Sequence, residues 1–178
     1  MKKIVLLGGG GHAKVIIDLL KSLKEYRVIG LLDPGQEIGE LISEIPVLGN
    51  DELLPELYKE GVRHVCIAIG SIKDNTKRKD LYFRVKKEGF SVPFLIHSRA
   101  IVSETSRIFE GVQIMAGAII QTDCVIGENT IINSGTIIEH DCNVGNHVHI
   151  CPGVVISGGC NINEGAFIGA GAIIVQGI

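Results

Sequence analysis

Three of the six histidines, His140, His147 and His149, fall within ten residues of one another in a stretch with few charges. His140 stands in Ile138-Glu139-His140-Asp141-Cys142, between two carboxylates. A neighbouring anion raises the basicity of an imidazole and fixes its tautomer, so this is the chemistry of a general base. Three clustered histidines also raise a second option, zinc ligation, although zinc takes its ligands from several directions at once. A second constellation lies near the start, Gly8-Gly9-Gly10-Gly11-His12-Ala13. Gly8-x-Gly10-x-x-Ala13 matches a dinucleotide fingerprint, and Asp33 follows at the place of a ribose-binding acid. Such a turn lets backbone approach a pyrophosphate at a helix N-terminus. The pattern does not say whose pyrophosphate, and a tight strand–helix turn without ligand has the same spelling.

The elements that must carry these groups differ along the chain. Residues 3–8 read as a buried strand and 14–24 as a helix with Val15, Ile16, Leu19, Leu20 and Leu23 on one face. Strands are expected at 27–32, 46–48, 64–69 and 93–96, with helices at 51–59 and 75–88. This alternation predicts a small α/β unit with a parallel sheet, Rossmann-like in its first turn. From residue 102 to 174 every sixth residue is Ile or Val, and the residue four places later is mostly small. Period six excludes an amphipathic helix and signals a parallel β-helix. Three hexapeptides make one triangular coil of 18 residues, with the aliphatic residue inward and polar or glycine residues at the corners. Cys124, Cys142 and Cys160 then form an internal ladder, behaving as small hydrophobes. His140 falls near a corner, pointing outward. The expected division is 1–97 for the α/β domain and 98–178 for the β-helix.

Composition bounds the rest. The 178 residues are 46% hydrophobic and 21% charged with net charge −3, which excludes a disordered chain and argues against a nucleic-acid binder. The first 97 residues hold 15 of the 17 Lys and Arg and 13 of the 20 Asp and Glu, so the repeat is acidic and free of lysine. No apolar run reaches the length of about 18 residues that a membrane span needs. The opening Met1-Lys2-Lys3 lacks a small-residue cleavage site, so a cytoplasmic location without membrane insertion is expected. Five cysteines without a C-x-x-C do not make a disulfide framework.

The hexapeptide array resembles the left-handed β-helix acyltransferases. The GGGGHA turn, Ile138-Glu-His-Asp-Cys, His147-Val-His-Ile-x-Pro-Gly and the junction Leu95-Ile96-His97 together resemble one branch of them. That branch holds the bacterial nucleotide-sugar N-acetyltransferases and the related sialic acid O-acetyltransferases. The resemblance implies a left-handed parallel β-helix behind a Rossmann-like domain, acetyl-CoA as co-substrate, no metal, and a homotrimer with active sites between prisms. It places the general base on His140 and the carboxylate that polarises it on Asp141, where the family carries Glu. It puts Asn133 near the acceptor amine, His149 and Ala170 on acetyl-CoA, and the Gly158 amide at the thioester carbonyl. It brings the nucleotide to Gly11, His12, Asp33 and Gly70. Family members continue beyond a point matching Ile178, so a C-terminally shortened β-helix is expected. Sugar O-acetylation, a NAD- or sugar-binding module, and a zinc hydro-lyase like the γ-class carbonic anhydrases, which share the prism, are the alternatives.

Overall fold

The computed structural model describes residues 1–71 and 74–178. The chain divides into two compact units, Met1–Gly70 with Asp80–Pro93, and Ser71–Lys79 with Phe94–Ile178.

The first unit is built on β1 (Lys2–Leu7), α1 (Gly11–Leu23), β2 (Tyr26–Leu32), β3 (Leu41–Ile42), β4 (Ile45–Gly49), α2 (Leu54–Lys59) and β5 (His64–Ile67). The sheet order is β3-β4-β2-β1-β5. The pairings β1–β2, β1–β5 and β2–β4 are parallel, and β3–β4 is antiparallel. The apolar runs of β1 and β5 are buried because the parallel sheet is covered on both faces. Gly8 has φ +110, and a Cβ there would lie 2.5 Å from Ile69 Cγ2, so the turn out of β1 requires glycine. Helix α1 starts three residues earlier than the apolar stripe indicates, because Gly10 is extended and Gly11 already helical. The β3–β4 hairpin is invisible to a search for Asn-Gly or Asp-Gly. Its two turn residues, Ser43 and Glu44, hold φ of 50 and 74 without glycine.

In the second unit, strands of two residues recur every six residues and pair in parallel at an offset of 18, as in Ile119 with Ile101 and Ile137. They stack into three sheets, the faces of a left-handed β-helix. Ile114, Ile120, Ile126, Ile132, Ile138 and Val144 are at most 1% exposed, so the period-six aliphatic residues are the core. Cys124, Cys142 and Cys160 are buried beside them, as the spacing requires. Their thiols donate to the carbonyls of Glu139 (3.1 Å), Ser157 (3.2 Å) and Val175 (3.2 Å), each 15 residues on. Thr130 and Thr136 hydroxyls make the same bond to Gly145 and Cys151 at 3.0 and 3.1 Å.

One expected element is placed differently. The strand expected at 93–96 is Leu95–Ile96, and it pairs with Gln113–Ile114 of the prism rather than with the α/β sheet. Ile96 lies six residues before Val102, so it is the first aliphatic rung of the repeat.

The three prism faces differ outside. The outward residues Ile101, Ile119, Ile137, Val155 and Ile173 line up on one face, and the two outermost are 65% and 74% exposed. The second face carries Arg107, Val125, Asn143 and Asn161. The third meets Ser71, Asn75, Arg78 and Lys79, and the Asn75 side-chain amide donates to the carbonyls of His147, Gly165 and Ala166 at 2.9–3.2 Å. Arg78 Nε donates to Asn129 O at 3.2 Å, and Lys79 pairs with Glu164.

Candidate functional site

The corner after Ile137–Ile138 carries the first cluster. Asp141 holds φ 58, a left-handed conformation that aspartate tolerates better than most residues because its short carboxylate bonds locally. From there its Oδ2 reaches His140 Nδ1 at 2.7 Å. A proton on Nδ1 facing that carboxylate leaves the lone pair on Nε2, the tautomer a base needs. The shorter Asp, standing where the resemblance expects Glu, therefore spans the distance. Both side chains are more than half exposed in this chain.

Gly158, one coil on, is the floor of this corner. A Cβ there would stand 2.6 Å from His140 Cε1 and 2.7 Å from Nε2, so only glycine admits the imidazole in this position. The neighbouring amides are committed: Ser157 N–H donates to Ile174 O at 3.0 Å and Gly159 N–H to His140 O at 2.9 Å. Among the described residues no hydrogen bond of the Gly158 N–H is found. A base and an uncommitted backbone donor thus stand side by side. Cys142 anchors Ser157, and Cys124 anchors Glu139, from inside the prism. Burial pushes the Cys142 thiol up to about 11 and raises that of Cys124, so both stay protonated donors.

Asn133, His149 and Ala170 belong to another corner and its flanking face. Asn133 precedes the strand Ile137–Ile138 and His140 follows it, so the two clusters stand one prism face apart, their backbones at most ~23 Å from each other at about 3.3 Å per residue. Ala170 is exposed two coils beyond Ser134. His149 is 6% exposed, with Nδ1 2.8 Å from Ser71 Oγ and Nε2 3.4 Å from Asn133 Nδ2. Burial, helped by the charge of Arg78, lowers its pKa to about 4. His147 is a clamp: its Nδ1 meets Asn129 Nδ2 at 2.9 Å, and burial lowers its pKa as well. The three clustered histidines therefore face three directions. Among the described residues, no group of three or more His, Cys, Asp or Glu could hold a metal ion.

In the first unit, Gly11, His12, Asp33 and Gly70 surround one turn. Asp33 Oδ2 accepts the Gly9 N–H at 2.6 Å and Oδ1 accepts the Gly35 N–H at 2.8 Å. Asp33 is thus a brace for the glycine-rich turn. Gly70 packs on His12, a Cβ there lying 3.6 Å from His12 Cβ, while Gly10 and Gly11 face open space. A cavity of 260 Å³ opens beside Gly9 and is lined by Lys14, Gln36 and Glu40 among others. Lys14 escaped sequence reading because a lysine one turn into a helix is ordinarily a solvated surface residue. Ser71 and Cys151 escaped it too, since contact with His149 over 78 residues leaves no local pattern.

Fold and site together define a hexapeptide-repeat protein with an N-terminal α/β unit. Residues 3–85 match the PglD N-terminal domain, and 105–140 match the bacterial transferase hexapeptide of six repeats. A histidine mutant of perosamine N-acetyltransferase from Caulobacter crescentus, in complex with CoA and GDP-perosamine, superposes with a TM-score of 0.86. It is 32% identical, over 99% of this chain and 90% of that one. The acetyltransferase domain of PglB from Neisseria gonorrhoeae, solved also with acetyl coenzyme A, is 28% identical with a TM-score of 0.83, over 100% and 95% of the two chains. UDP-N-acetylbacillosamine N-acetyltransferase of Bacillus subtilis is 36% identical over 116 residues, 65% of this chain and about half (52%) of that protein. The chain belongs to this family of sugar N-acetyltransferases built from a PglD N-terminal domain and a hexapeptide β-helix.

Proposed function

We propose that the protein transfers the acetyl group of acetyl-CoA to an amino group of a nucleotide-linked sugar, in bacterial glycan synthesis in the cytoplasm. The observation that carries this reading is the His140–Asp141 pair lying over Gly158 and its uncommitted N–H. The relatives solved with CoA and GDP-perosamine, or with acetyl coenzyme A, support both substrates.

A sugar ammonium must lose a proton before its nitrogen can attack. In this reading His140 Nε2 takes that proton, Asp141 steadies the imidazolium, and the freed amine then forms the C–N bond at the thioester carbonyl. The Gly158 N–H donates to the oxyanion, a contribution typically about 2.7–4 kcal/mol for one donor. Collapse breaks the C–S bond, and the thiolate takes up the second proton that the nitrogen sheds on becoming an amide, leaving as the CoA thiol. His149, Asn133 and Ala170 place the acetyl-CoA and acceptor, and Gly11, His12, Asp33 and Gly70 form the nucleotide site.

The homotrimer belongs to the same reading. The face between the His140 corner and the Asn133 corner is the aliphatic one, Ile101 to Ile173. Packing that face against copies of itself buries the stripe and brings the His140 corner of one prism towards the Asn133 corner of another. The test is acetylation of a panel of UDP-, GDP- and dTDP-linked amino sugars, followed by mass spectrometry. Mass gain on an amino sugar and none on its deaminated counterpart supports the reading. Acetylation of a hydroxyl sugar alone points to O-transfer.

A further inference from the structure

We propose that Ser71 is a positioning residue that locks His149 in the Nδ1–H tautomer, so that Nε2 faces the acyl donor as a hydrogen-bond acceptor. The inference rests on the proposed placement of acetyl-CoA at His149 and adds to it the atom and direction of the contact.

Four neighbours fix the tautomer. His149 Nδ1 stands 2.8 Å from Ser71 Oγ and 3.2 Å from Ser71 O. A backbone carbonyl can only accept, so Nδ1 carries the proton. On the other side, Nε2 faces Asn133 Nδ2 at 3.4 Å and Cys151 Sγ at 4.0 Å. The Asn133 amide cannot be turned round, because its Oδ1 accepts the Ser134 N–H at 2.8 Å. Burial raises the Cys151 thiol, which keeps its proton and is a weak donor. The Ser71 carbonyl facing Nδ1 can only accept, the Ser71 hydroxyl adapts and accepts beside it, and both groups facing Nε2 donate. Phe167 sets the ring plane edge-to-face, with centroids 5.4 Å apart at 87°.

The consequence concerns recognition. A neutral Nδ1–H imidazole offers only a lone pair at Nε2, so its partner must be an N–H. The chemical class that fits is the amide of a thioester's pantetheine arm, and the thioester carbonyl is excluded as partner. The 3.4 Å contact of Asn133 is long and yields readily to a better donor. The same tautomer keeps His149 from protonating the leaving thiolate.

The experiment combines NMR with kinetics on the full chain. Long-range ¹H–¹⁵N spectra at pH 7 should show a protonated Nδ1 and a bare Nε2 for His149. Ser71→Ala should raise KM for acetyl-CoA about three- to tenfold, the loss expected for one neutral hydrogen bond, with kcat much less changed. Ser71→Thr, which keeps the hydroxyl, should restore KM. A protonated Nε2 in the native protein overturns the proposal. So does a Ser71→Ala protein that stays folded with its His149 spectrum and its KM both native. If no acetylation is found with any sugar, the acetyltransferase reading fails, while the spectra of native and Ser71→Ala protein still decide the role of Ser71.

Discussion

The imidazole of His140 rests on the backbone of Gly158, 18 residues away in sequence and one coil away in the stack. A Cβ at 158 would meet three of its ring atoms at 2.6–3.1 Å. The hexapeptide register thus does two jobs at this corner, seating the base and setting a backbone N–H beside it. Gly158→Ala should therefore expel the ring while leaving the fold intact, because the contact is with a half-exposed side chain that can move. The N–H stays in an alanine, so the displaced base alone predicts a fall in kcat of about 10²-fold or more. Urea unfolding and steady-state kinetics on the same preparation check this, and unaltered kcat would contradict the seating of the base.

His140→Ala should lower kcat by about 10²–10⁴-fold, the usual contribution of a general base. Acetyl-CoA affinity should stay nearly native, because His140 and His149 stand on different corners. The activity of His140→Ala should recover as pH rises and the amine deprotonates unaided. His149→Ala should instead act mainly on KM for acetyl-CoA. The pH profile of kcat separates the two, and a His140→Ala enzyme with native kcat at neutral pH moves the base elsewhere.

Much of this architecture is legible in the sequence because the repeat enforces itself. An inward aliphatic residue every six positions leaves the chain one way to bury them, so the prism, the cysteine ladder and the corner position of His140 follow from counting. Counting one step further back would have placed Ile96 in the prism too. What spacing cannot give is which side chains meet outside the repeat. Asp33 looks like a ribose ligand, yet both its oxygens accept N–H groups from its own unit. His147 and His149 sit two residues apart, but one clamps Asn129 and the other faces Ser71. Such contacts arise from docking of a distant segment, which no local period records.

The nucleotide site predicts a separable defect. Gly11 faces open space at the start of α1, where an incoming pyrophosphate would lie on helix N–H groups. Gly11→Leu should fill that space without disturbing the fold, since φ there lies outside the left-handed region. Calorimetry should show weakened UDP- or GDP-sugar binding and unchanged acetyl-CoA binding. Equal loss of both would reduce the turn to a structural role.

Acid should destabilise the prism through its buried histidines. Burial lowers His149 to about 4 and shifts His147 in the same direction from an ordinary value near 6.5. The unfolded chain therefore binds more protons than the folded one between about pH 6.5 and 4, so stability rises with pH across that window. It is fully present above about 6.5 and is lost as pH falls towards 4. Urea midpoints at pH 7 and pH 5 should differ, and His149→Gln should shrink the difference. Midpoints independent of pH would mean that both imidazoles are protonated freely in the fold.

The cysteine ladder gives the sharpest test of how the corners are held. Cys142 donates its thiol proton to Ser157 O, the carbonyl just before Gly158, and no other bond to that oxygen is found among the described residues. Thr130 and Thr136 occupy equivalent positions and make the same bond with a hydroxyl. Threonine and valine have nearly the same shape, so Cys142→Thr and Cys142→Val change the interior volume alike and differ in the donor. In a plain apolar core valine would win. Here valine leaves a part-buried carbonyl without its donor, where the full cost for a buried group is about 1–3 kcal/mol. Cys142→Thr should therefore be the more stable of the two in urea unfolding, and only Cys142→Val should also lose activity, through a loosened Gly158 turn. In the native protein all three ladder thiols should resist rapid labelling until the chain unfolds. A valine variant at least as stable as the threonine one would show that the ladder cysteines only fill space.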